Sequence, residues 1–138
     1  MKNQRGATAV EFAIVLPLLV LLLIGIIEFS VILYDKAMIT NASREGARAG
    51  IVSQLPRVDD STIKGIVNKY CGLYLISFGS GAPPLTTIIE PTDRTGLTFG
   101  SELSVTVTYT YSFLALPKFV TGIVGPIDLT AKSVMRME

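Results

Sequence analysis

Apolar residues follow two different rhythms along this chain. From residue 12 to residue 27 they run without interruption, Glu28 breaks the run, and mostly apolar residues continue to Tyr34. Far downstream, Leu103, Val105, Val107, Tyr109, Tyr111 and Phe113 alternate with Ser104, Thr106, Thr108, Thr110 and Ser112. The first rhythm has no polar stripe, so it does not describe a helix lying on a water-soluble core. Read as a helix over residues 12–34, it is about 34 Å long and spans a hydrocarbon layer of about 30 Å. The second rhythm has the period of a strand with one face on a core and one toward water.

Between them the pattern predicts smaller pieces. Met38, Ile39, Ala42, Ala49 and Val52 fall at helical spacing, with Arg44, Glu45 and Arg48 opposite, so the first helix is expected to continue as a stem over residues 35–52. Small residues there (Ala42, Gly46, Ala47, Ala49) suit close packing by a second layer. Pro56 punctuates a break. Asp60 or Ser61 is then expected to cap a second helix with Ile63, Ile66, Val67 and Tyr70 on one face and Gly72 as its stop. Residues 79–84 form a loop without the Lys-Ser/Thr of a phosphate-binding loop. Strands are expected at residues 85–90, 102–113 and from Ile127 to Met137, with a turn cluster at residues 91–96 and a short apolar helix at residues 119–124. The predicted fold is α+β: a long transmembrane helix with an extramembrane stem, carrying a small C-terminal domain of about three antiparallel strands and one or two short helices.

Composition narrows the chemistry. The chain has 138 residues, net charge +1 and 17% charged residues, so it lacks the clustered Lys/Arg of a nucleic-acid footprint. It has no histidine and one cysteine, Cys71, which removes the usual zinc sites, Cys–His nucleophiles and Ser–His triads as well as an internal disulfide. Cys71 is read as a small buried hydrophobe. Glu90, Asp93, Glu102 and Asp128 are scattered, with no base–nucleophile arrangement. Neither enzyme activity nor a cofactor or metal is expected.

Three residues in or beside the apolar run stand out. Glu11 sits at its start, where a helix macrodipole favours negative charge. Pro17 removes one backbone hydrogen bond and is expected to give a mild kink or local unwinding back to Ala13. Glu28 is an ionisable residue within the span; it either pairs across subunits with Lys36 or a basic assembly protein, or reaches water at the interface near Tyr34. A secretory signal peptide does not fit, because the apolar run is too long and no small-residue cleavage site closes it.

The sequence Arg5-Gly6-Ala7-Thr8-Ala9-Val10-Glu11 before the apolar block resembles the processing site of a type IV prepilin. The wording GATAVEFAIVLPLL, continuing through IIEFSVILYDKAMITNASREGARAG, is similar to the TadE-like pseudopilins of tight-adherence (Tad) pilus systems. That resemblance implies a leader at residues 1–6, cut by a prepilin peptidase between Gly6 and Ala7, an assembly helix at residues 7–34, and an extracytoplasmic domain at residues 53–138. It also implies that Glu11 pairs with the new amino terminus of a neighbouring subunit. The expected function is that of a minor pilin or pseudopilin. It would join other pilin subunits and Tad inner-membrane assembly proteins through its apolar helix, in the bacterial inner membrane or the extracellular pilus. The competing expectation is a single-pass anchored accessory domain that does not polymerise.

Overall fold

A computed structural model of the chain describes residues 4–52, 57–77, 84–93, 97–114 and 116–137. The expected break at Pro56, most of the 79–84 loop, the end of the 91–96 turn and the first three leader residues lie outside the described residues.

The first element is a single helix, α1 (Gln4–Ile51), in which the apolar run and the stem are continuous. It passes through Pro17 as α-helix, without the local unwinding the sequence led us to expect. One missing N–H bond among flanking apolar turns is a loss that such a helix absorbs. Helix α2 (Asp60–Tyr74) starts one residue earlier than expected, with Asp59 as its N-cap. The exposed Asp59 carboxylate accepts from the hydroxyls of Ser61 and Thr62, which lowers its pKa to about 2. The helix also runs past Gly72 to Tyr74, because Gly72 keeps helical geometry in an exposed turn beside buried Cys71.

Strands β1 (Leu85–Glu90), β2 (Glu102–Tyr111) and β3 (Ile127–Arg136) form an antiparallel sheet in the order β1-β2-β3. Strand β2 ends at Tyr111 and not at Phe113, where the chain turns back toward α1. The short helix α3 (Lys118–Val124) connects β2 to β3. The register pairs Leu85 with Tyr109, Ile89 with Val105, Val107 with Ala131 and Tyr109 with Leu129, so the apolar positions share one face. That face is covered by α1 over β2 and β3 and by α2 beside β1. The other face carries Thr108–Thr130 and Thr110–Asp128 hydrogen bonds and the exposed Lys132–Glu90 pair. The fold is α+β, as the period-2 and period-3.6 patterns require.

The core contains Ile39, Ala42, Ala47, Ile63, Val67, Cys71, Leu103, Val105, Val107 and Tyr111, all fully buried. The contact face of the stem is rotated from the expected stripe. Gly46 and Gly50 lie on it, whereas Val52 is 48% exposed. A Cβ on Gly46 would lie 2.8 Å from Val67 Cγ2, and one on Gly50 would overlap Leu103 Cδ2. Close approach of the helix to α2 and the sheet therefore requires glycine at both positions.

Candidate functional site

The residues singled out by the sequence fall into two zones of one helix. Gly6, Ala7, Glu11 and Pro17 all lie in a stretch, residues 6–20, where every position is exposed. Val10, Phe12, Ile14, Leu18 and Leu19 are 50–71% exposed. Leu21, Ile24 and Gly25 are half-buried, and Glu28 is buried. Of the helices among the described residues, α1 alone has the length and composition of a membrane span.

Glu28 is where the bare helix meets the folded domain. Its Oε2 accepts from the hydroxyl of Tyr111 at 2.5 Å, and its Oε1 accepts from the backbone N–H of Leu114 at 2.7 Å and of Leu116 at 3.3 Å. Three donors on one carboxylate supply what an ionised group needs when water is excluded. The Tyr111 pKa is raised, first by burial and then by the hydrogen bond to Glu28, so the phenol remains a donor. Tyr111 is itself held in a row of edge-to-face rings, 6.3 Å from Tyr109 and 5.9 Å from Phe113. Of the two settings expected for Glu28, contact with water is not found. Within the protomer Lys36 donates to the carbonyl of Thr130 on β3.

A second carboxylate on the same face was not anticipated. Asp35, two turns above Glu28, is fully buried. One oxygen accepts the backbone N–H of Ile76 at 3.0 Å, and the other has no hydrogen-bond partner. Burial raises its pKa, partly offset by the Ile76 bond. Burial of Cys71, and then the Asp35 charge, push its thiol up to about 11, which leaves that sulfur an unreactive core group. The signal was present in the spacing: Glu28, Asp35, Ile39 and Ala42 recur at intervals of three, four and seven on one helix face. Farther up, Ser43 shares a 2.7 Å hydrogen bond with Ser133, joining α1 to β3. Among the described residues no cluster of three or more potential metal ligands occurs.

The arrangement is thus a bare apolar rod keyed into a small domain by polar contacts at Glu28, Asp35, Lys36 and Ser43. Among the described residues, what joins rod and domain is packing and hydrogen bonding. Residues 6–48 match the family model of TadE-like proteins, a stretch that contains all of the bare rod and most of the keyed stem. No curated protein and no solved structure matches the chain. The match covers 43 of the 138 residues, those of the apolar helix and its stem.

Proposed function

We propose that this chain is a pseudopilin or minor pilin of a Tad-type pilus, cut after Gly6 by a prepilin peptidase and assembled through the bare part of α1. The observation that carries the reading is the exposure of α1 on every side through residues 6–20, directly behind the Gly6–Glu11 motif. A helix apolar all round has no use for water as a solvent. Residues 7–27 measure about 32 Å at the α-helical rise, which matches a bilayer core, so the span ends just before Glu28 and several residues earlier than the apolar pattern alone placed it. During assembly this surface exchanges lipid for neighbouring helices of the same kind.

Glu11 is then the residue that sets stagger. A carboxylate near the apolar boundary is costly unless paired. Cleavage at Ala7 creates an amino group four residues away in sequence, free to meet Glu11 of an adjacent subunit. Pro17 and Glu28 belong to the same assembly region, the first within the packed rod and the second as the joint to the exposed domain. The domain lies on the extracytoplasmic side in this reading.

The test is mass spectrometry of the native N-terminus, from cells co-expressing a prepilin peptidase and from sheared pili. The expected mature chain begins at Ala7, and it is recovered in the pilus or its membrane assembly complex. An N-terminus retaining residues 1–6, in a protein found alone in the membrane, would replace this reading with that of an anchored, non-polymerising domain.

A further inference from the structure

Between β2 and β3 the chain does not return directly to the sheet: Leu114 and Leu116 bond to Glu28 of α1, and Pro117 lies against α1 farther toward the bare end. Pro117, at the start of α3, lines an apolar groove of about 460 Å³ with Pro17, Leu18, Val20, Leu21 and Ile24. Those α1 residues are four to eleven positions before Glu28, which places Pro117 roughly 6–16 Å along the helix axis from Glu28, toward the bare end. The connection thus runs beside the portion of α1 whose remaining faces are exposed and apolar.

We propose that this connection, from Leu114 through α3, is a second membrane-contacting element that enters the leaflet on the domain side, and that a lipid acyl chain occupies the groove. The inference rests on the reading of residues 7–27 as a span. Three observations converge on lipid. The groove is continuous with the exposed apolar surface of α1, so whatever solvates that surface also reaches the groove. Its volume lies within the range of about 300–1,000 Å³ typical of sites for small apolar ligands. Residues 113–124 include a single charged residue, Lys118, which is exposed and long enough to reach headgroups from a shallow position.

The hydrogen bonds at Glu28 make such an entry affordable. Irregular backbone is tolerated at membrane depth only where its polar groups find partners within the protein. The N–H groups of Leu114 and Leu116 find theirs on Glu28 Oε1. The carboxylate in turn is tolerated beside the span because those same groups and Tyr111 satisfy it. The loop shelters the charge, and the charge completes the loop.

The natural chain has no tryptophan, so single reporters are clean. Full-length Pro117→Trp, Leu116→Trp, Leu19→Trp and Phe99→Trp are reconstituted singly in phosphatidylcholine–phosphatidylglycerol vesicles, with and without lipids brominated at mid-chain. Leu19 marks the span, and Phe99, 87% exposed, marks the domain surface away from it. The expected result is a blue-shifted emission and a marked loss of intensity with brominated lipid at positions 117 and 116, approaching the loss at position 19. If Pro117→Trp fails to fold by circular dichroism, Leu116→Trp carries the measurement. Quenching at positions 116 and 117 no greater than at position 99, with position 19 still quenched, overturns the inference while leaving the span intact. An unquenched position 19 overturns the span reading, and this inference with it.

Discussion

The two halves of α1 are one unbroken helix built for different surroundings. Through residues 6–16 every position is exposed and lines no groove with the domain among the described residues, and Pro117 approaches the helix from Pro17 onward. From Glu28 onward one face is buried, and it carries the unusual residues: Glu28, Asp35, Ala42, Ser43, Gly46 and Gly50. On the proposed reading the bare half meets a uniform apolar medium, so bulk and hydrophobicity are enough. The covered half meets a particular sheet and a particular helix, so each position is shaped by the atom opposite it. The lesson is that apolarity marks where this helix contacts anything greasy, whereas glycine and buried carboxylates mark where it contacts its own fold.

The sharpest way to break that contrast is to place the same substitution on the packed face and on the half-buried turn just ahead of it. Gly50→Val drives a branched side chain into Leu103 and Ile63, whereas a Cβ on Gly25 meets nothing within 4 Å. Overpacking of this kind is expected to cost the domain about 3 kcal/mol, read as a lowered urea midpoint of the detergent-solubilised chain. Gly25→Val should leave that midpoint where it was. Equal loss from the two variants would mean that the turn at Gly25 also packs against the domain.

A smaller effect is expected at the joint. Tyr111→Phe keeps the ring stacked on Tyr109 and Phe113 but withdraws the hydroxyl from Glu28. Loss of a hydrogen bond to a buried charge is expected to cost about 1.5–3 kcal/mol. Thermal unfolding followed by near-ultraviolet circular dichroism reports it, and an unchanged transition would show that the two backbone donors satisfy Glu28 without help.

Asp35 gives the smallest effect and the one with a pH signature. Its folded-state pKa is raised above the ordinary 3.8, so the folded chain prefers the neutral acid. Below 3.8 both states are protonated and the penalty is absent; it grows as pH rises from that value to the folded pKa and is constant above it. Asp35→Asn removes the ionisation and should stabilise the domain at neutral pH, read as a raised urea midpoint. The gain should shrink to nothing in acid. A gain that is the same at both pH values would assign the effect to packing and not to charge.

Much of this protein was written in its periodicities. The apolar run, the strict alternation over β2, the alternation of β3 and the apolar face of α2 each specify a local element, because helix and strand geometry put like residues on one face without help from the rest of the chain. The same linear order shows the Gly6–Glu11 spacing at the head of the run. What it does not carry is distance between remote residues. Glu28 meets Tyr111 across 83 positions and the N–H groups of Leu114 and Leu116 across 86 and 88, and backbone donors leave no mark in residue identity. Asp35 reads as an ordinary charge after Tyr34 until the fold closes over it and leaves one oxygen without a partner. The rotation of the stem that selects Gly46 and Gly50 over Val52 likewise depends on where Leu103, Ile63 and Val67 arrive. Local geometry is encoded residue by residue; the partners of a buried charge and the fit of a glycine are properties of two surfaces at once, and only the folded chain brings the second surface into place.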